Sequence, residues 1–109
     1  MEFRKVTAII QPHTLEKVEK SLRALHVPGV SVTKVKGFGE YADFYTSDWM
    51  VSHVRVEVFI GEGRAEEIAC AIMDAAHTGM EGDGIVAILT VEAVYHIRTK
   101  HKCKHDVCY

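Results

Sequence analysis

Residues 5–37 read KVTAIIQPHTLEKVEKSLRALHVPGVSVTKVKG, and the hydrophobic period changes twice within them. In KVTAII (5–10) Val6, Ala8 and Ile10 share one face, the two-residue period of a strand. Pro12 ends that strand, and Thr14 stands where a helix cap is expected. Leu15, Val18, Leu22 and Leu25 then recur at three- and four-residue steps, a single helical stripe. HVPGV (26–30) breaks the helix, and VSVTKVKG (30–37) reads as a second strand.

The second half repeats the order. HVRVEVFI (53–60) sets Val54, Val56, Val58 and Ile60 against Arg55, Glu57 and Phe59. GEG (61–63) is expected to turn the chain, and RAEEIACAIMDAA (64–76) to be a helix with Ile68, Ile72 and Ala75 or Ala76 inward. Cys70, between Ala69 and Ala71, reads as a small core or near-core residue. IVAILTV (85–91) is a strand, which VYHIR (94–98) extends or follows with a short one. Two β-α-β units interleave into an α+β, ferredoxin-like βαββαβ fold: an antiparallel sheet with both helices on one face. The other face is left bare and partly apolar, with Ile9 and Phe59 on it, which points to self-association.

The 109 residues suit one domain, 1–109. A formal charge of −2 gives no bulk attraction to nucleic acid or anionic lipid. No apolar run approaches the ~18–20 residues of a membrane span. MEFRKVTAII lacks the basic start and long apolar core of a signal peptide, so the cytoplasm is the expected compartment. Cys70, Cys103 and Cys108 are too few and too unevenly spaced for a secreted disulfide framework.

Two stretches exceed what the fold needs. GFGEYADFYTSDWMVSH (37–53) is polar and aromatic without a period; so long a connection in a small domain is usually functional, with a twisted hairpin as the plain alternative. HTGMEGDGIV (77–86) places Gly79, Gly82 and Gly84 around Asp83. Glycines let backbone N–H groups turn toward an anion and let a ligand approach, though a helix end and tight turn would explain some of them. No Gly-Lys-Ser/Thr follows, so this is not a P-loop.

Taken together and in order, the stretch from Lys5 through KGFGE, then TGMEGDGIV, then HIRT, strongly resembles the PII signal-transduction family. The resemblance implies a homotrimer whose sheets pack around a central axis, with adenine nucleotides bound in the clefts between subunits. It makes 77–85 the B-loop, with Thr78 and the Gly82-Asp83-Gly84 backbone at the phosphates. It gives Gly37, Phe38 and Gly39 backbone contacts, and places Ile9, Ser31, Glu57 and Phe59 near adenine and ribose. His96 and Arg98 would reach in from the neighbouring C-terminal segment, 96–109. Residues 40–53 would be the T-loop, the arm that docks on a protein target.

The departures from the family pattern carry information. Nitrogen-sensing members have a lysine after Gly-Asp-Gly, where Ile85 stands here, and two arginines where this chain has His96 and Arg98. Each charge-assisted phosphate contact is worth about 1.5–3 kcal/mol, so ATP should lose more than ADP or AMP. A protonated His96 would restore one contact at low pH. Tyr41 replaces the glutamine that helps hold Mg²⁺ and 2-oxoglutarate, and the T-loop is shorter. Tyr45 is the nearest match to the uridylylated tyrosine, in a different setting. The tail HKCKHDVC supplies His101, Cys103, His105 and Cys108, a candidate metal or redox site of the N/S type. Short T-loops and cysteine-bearing tails resemble divergent PII-like groups linked to inorganic-carbon uptake or metal efflux.

The expected function is therefore regulatory, not enzymatic. The chain would read the adenylate pool, with ADP or AMP favoured, ATP weaker, and no tightly bound cofactor. Bicarbonate or a similar small anion is a candidate second ligand, and a membrane transporter a candidate target. The alternative is a metal-responsive accessory protein that uses the tail. An acylphosphatase-type site needs an asparagine, and the chain has none. No Ser–His–Asp or Cys–His arrangement is evident. The aromatic motifs of an RNA-binding module are missing as well.

Overall fold

The computed structural model describes residues 2–37 and 51–104. Strand β1 (Phe3–Ile10) is followed by a 3-10 turn (Pro12–Thr14), helix α1 (Leu15–Ala24) and strand β2 (Ser31–Gly37). Strand β3 (Val51–Gly61), helix α2 (Glu62–Ala76) and strand β4 (Gly84–Val91) repeat the unit, and two short strands follow, β5 (Tyr95–His96) and β6 (His101–Lys102). The main sheet has the order β2-β3-β1-β4 and every pairing is antiparallel. That is the expected ferredoxin-like order.

The core forms where the strand and helix periods meet. Val6, Ala8 and Ile10 of β1 and Val54, Val56, Val58 and Ile60 of β3 are buried on one sheet face. Val18 and Leu22 of α1 and Ala65, Ile68, Ala69, Ile72, Ala75 and Ala76 of α2 complete the cluster. Leu15 and Leu25, the ends of the α1 stripe, pack against it half-buried. The alanines let α2 approach closely, and removing a branched side chain such as Ile72 would cost about 2–5 kcal/mol.

Three expectations are corrected and one open alternative is resolved. Cys70 is exposed, because it lies on the α2 face opposite Ile68 and Ile72. GEG is not a free turn: Gly61 ends β3 and caps α2, which starts at Glu62, two residues before the expected start, with Glu62 N–H bonded to Glu2 O at 2.9 Å. Thr14 makes no side-chain cap; its hydroxyl donates to Gln11 O at 2.8 Å and closes the 3-10 turn. Of the two readings of VYHIR, the short following strand holds. Tyr95 and His96 form β5, paired with Lys102 and His101.

Helix α1 closes without glycine. Val27 N–H reaches Leu22 O at 3.2 Å and His26 N–H reaches Arg23 O at 3.0 Å. This double closure is the Schellman pattern, and it puts His26 at φ 57, a position glycine usually takes. Arg64 of α2 donates to Leu25 O at 2.5 Å, satisfying another carbonyl at the same end.

Candidate functional site

Helix α2 ends at Ala76, and β4 begins at Gly84. The chain between them is organised around one carboxylate. Asp83 accepts from Thr78 N at 2.8 Å, from Gly79 N at 3.1 Å and from the Thr78 hydroxyl. Thr78 Oγ1 in turn accepts from Met80 N at 3.2 Å. Burial works to raise the Asp83 carboxyl, but the Thr78 side-chain and backbone bonds, the Gly79 N–H and the charge of His77 together hold it below the ordinary carboxylate value.

This knot requires backbone that only glycine adopts cheaply: Gly79, Gly82 and Gly84 have φ of 85, 92 and 113. Gly84 has a second reason. A Cβ there would lie 1.8 Å from Ile9 O, so β4 can pair with β1 at this point only with glycine. The turn is also tied to β1 from its middle: Gln11 Nε2 donates to Gly82 O at 2.6 Å. That engages the Gly82 carbonyl, whose lone pair would otherwise repel an anion. Sequence reading missed Gln11; its place directly after β1, opposite the end of β4, was the available signal.

Beside the turn lies the sheet face the helices leave uncovered. Lys5, Thr7, Ile9, Arg55, Glu57, Ile85 and Ala87 line a depression there. Ile9 sits between Arg55 and Ile85 across the strands, and Ser31 lies opposite Glu57. Lys5 Nζ is 2.9 Å from the Glu57 carboxylate, and Arg55 Nε is 3.6 Å away, an ion pair too long for a hydrogen bond. Phe59 lies opposite Lys5 on the same face. Ile85 and Leu89 of β4 are each about two-fifths exposed.

Of the residues expected at a nucleotide, Thr78, Gly82, Asp83 and Gly84 are thus in one knotted turn, and Ile9, Ser31 and Glu57 are on adjoining strands. Gly37 ends β2, buried, opposite Val51. Phe38 and Gly39 lie outside the described residues, as do residues 40–50 of the expected T-loop and its Tyr41 and Tyr45. Its last three residues, 51–53, belong to β3, with His53 buried opposite Val35. His96 and Arg98 lie on the β5–β6 hairpin, and no hydrogen bond or ion pair among the described residues joins them to the turn. His96 Nδ1 is buried with no hydrogen-bond partner among those residues.

Of the four tail residues, His105 and Cys108 lie outside the described residues. His101 is exposed on β6. Cys103 is buried and disulfide-bonded, so in this state its sulfur is not a thiolate ligand. Among the described residues no group of three or more metal-ligating side chains is present. No helix among them is long and apolar enough to cross a membrane.

A family model described as nitrogen regulatory protein P-II matches residues 3–101. The nitrogen regulatory protein P-II of Azospirillum brasilense is 36% identical over 107 residues, covering 92% of this chain and 96% of that protein. The nitrogen regulatory protein GlnK2 of Haloferax mediterranei is 39% identical over 105 residues, covering 89% and 85%. Among solved structures, Arabidopsis thaliana PII bound to citrate superposes with a TM-score of 0.82 at 32% identity, covering 94% of this chain and 90% of that one.

Proposed function

Because the chain belongs to the nitrogen regulatory protein P-II family, a family of regulatory signal-transduction proteins and not enzymes, we propose that it binds an adenine nucleotide against the 78–84 turn and signals the bound state to a protein target. The observation that carries this reading is the turn itself. An acid knot fixes its backbone, three glycines keep it bare, and Gln11 holds it against β1 beside the Ile9 and Glu57 depression. A phosphate group needs such a backbone cradle, and an adenine ring needs an adjacent wall that is part apolar and part polar.

In this reading three copies of the chain assemble around their uncovered sheet faces, which covers the exposed Ile85 and Leu89. His96 and Arg98 of one copy meet the phosphates held by the next, and the buried His96 Nδ1 gains its missing partner there. Gly37, Phe38 and Gly39 contribute backbone contacts, and Ser31 and Phe59 flank the base and sugar. Bound nucleotide sets how residues 40–50 meet the target.

Selectivity follows from the cations that are absent. With Ile85 and His96 where nitrogen-sensing members carry lysine and arginine, the outer phosphates have fewer charged contacts. ADP or AMP therefore binds at least as tightly as ATP, with little response to 2-oxoglutarate. Bicarbonate or a related small anion is the proposed second ligand, and the target is a membrane transporter. Calorimetry with AMP, ADP and ATP, with and without Mg²⁺ and 2-oxoglutarate, tests the scheme. A strong ATP preference deepened by Mg²⁺ and 2-oxoglutarate would contradict it.

A further inference from the structure

The uncovered sheet face carries a polar island that its strand pattern does not call for. Glu57 stands at the centre, opposite Thr7 on β1 and Ser31 on β2. Lys5 reaches it diagonally from β1, with Nζ 2.9 Å from Oε2, while Arg55 Nε, two residues away on β3, is 3.6 Å from Oε1. One carboxylate oxygen is thus bonded to a lysine, and the other has a guanidinium nearby that is too distant to bond it. Ile9, Ile85 and Ala87 line the same depression, so the charged group stands among apolar walls.

This pair differs from an ordinary ion pair of the surface. The side chains of Glu16 and Lys20 on α1 are 81% and 75% exposed, and such a pair contributes little and needs no further account. Those of Glu57 and Lys5 are 22% and 29% exposed. A carboxylate drawn this far out of water is destabilising unless its oxygens are engaged, and each ionised oxygen takes about two donors. Lys5 answers only part of that capacity, so Glu57 keeps unused acceptor sites beside the depression it lines. A nucleoside offers a matching group in its ribose, whose two neighbouring hydroxyls are donors at fixed spacing; an acidic side chain accepts from ribose in the same way in dinucleotide-binding folds. The Lys5 contact ties Glu57 to β1, the strand whose last residue, Ile10, lies beside Gly84 of the turn. Without Lys5 nothing opposes Arg55, and closing the 3.6 Å gap would turn the carboxylate back along its own strand.

We propose that Lys5 is a positioning residue, which holds Glu57 across the sheet as the acceptor for the ribose hydroxyls of the bound nucleotide. The proposal rests on the nucleotide reading above and adds a selectivity to it, for ribonucleotides over 2′-deoxyribonucleotides. The adenine amino group is the competing donor for the same carboxylate.

Calorimetry with ADP, 2′-deoxy-ADP and IDP on the full chain is the direct test. Wild type should bind ADP about tenfold more tightly than 2′-deoxy-ADP, the size expected of a hydrogen bond to a charged acceptor. In Lys5→Met that preference should shrink below about twofold, because ADP loses the contact and 2′-deoxy-ADP has none to lose. Lys5→Arg, which keeps the cation, should restore the preference, whereas a merely structural lysine would shift both nucleotides alike. Glu57→Gln should lose the preference as well, which keeps the test meaningful if Lys5→Met folds poorly. A preference of equal size in wild type and Lys5→Met would overturn the proposal and leave the nucleotide reading standing. A preference for ADP over IDP that vanishes in Lys5→Met while the 2′-deoxy preference stays would also overturn it and assign Glu57 to the adenine amino group. No ADP binding by wild type would sink the nucleotide reading and this proposal with it.

Discussion

The two helix-to-strand junctions of this molecule do the same topological job with different materials. After α1 the chain reaches β2 through a cap closed by two backbone bonds, with His26 in the left-handed region and no glycine at a positive φ. After α2 it reaches β4 through a turn with three such glycines, an aspartate knot and a tether from Gln11. The first junction shows what the fold alone demands. In the second, contact with Ile9 explains Gly84, whereas Gly79 and Gly82 bend a turn of a shape that joining two elements does not require. The proposed function gives that difference a use: the second junction is the one proposed to hold a nucleotide.

The comparison breaks most visibly at Gly84. Gly84→Ala should destabilise the protein by roughly 4 kcal/mol or more, because the new Cβ meets Ile9 O and β4 must leave β1. Denaturant unfolding measures it, and a loss below about 1 kcal/mol would show that the strand edge yields easily.

Gln11→Ala should separate site from scaffold. The side chain holds Gly82 O through one part-buried bond, so stability should fall by only about 1 kcal/mol. ADP affinity should fall about tenfold, equivalent to ~1.4 kcal/mol, as the turn loses its register against β1. An unchanged ADP affinity in calorimetry would make the tether irrelevant to binding.

Much of this organisation was legible in the sequence, and the misses have physical causes. Alternation in KVTAII and HVRVEVFI and the stripe from Leu15 to Leu25 identified the sheet, its buried face and helix α1. The glycines around Asp83 marked the turn. What periodicity could not supply was contact between distant residues. Gln11 lies 71 positions from Gly82, and its role exists only once β1 and β4 are neighbours. Cys70 was misread because alanine neighbours make a helix face look buried, while Ile68 and Ile72 already fix which face is inward. His26 in a glycine position was equally hidden, because a helix stop can be read from HVPGV but a left-handed histidine cannot.

At the first junction the expected change is a gain. His26→Gly relieves the left-handed side chain but loosens the unfolded chain, for a net gain of about 0.5–1 kcal/mol. ADP affinity should not move. A loss of stability would show that His26 contributes contacts beyond its backbone role.

The smallest effect belongs to the acid limb. The Asp83 carboxyl is held below its ordinary value in the folded protein, so its contribution is present above the unfolded value near 3.8 and is lost as pH falls through the lower folded value. Asp83→Asn should therefore flatten the stability-against-pH curve below about pH 4 and leave its slope near neutrality unchanged. A wild-type curve identical to that of the variant in the acid range would mean that the Thr78 and Gly79 bonds confer no preference for the ionised form.

The central claim is that the turn after α2 is an adenine nucleotide site and the junction after α1 is structural. Titration of ADP into wild type and Gly82→Ala, by calorimetry at matched concentration, addresses it most directly. The substitution strains one backbone position by roughly 1–2 kcal/mol and should leave the fold intact by circular dichroism. The account predicts saturable ADP binding to wild type and at least a tenfold loss in the folded variant. Equal ADP affinity in the two proteins, or no ADP binding by wild type, would contradict it.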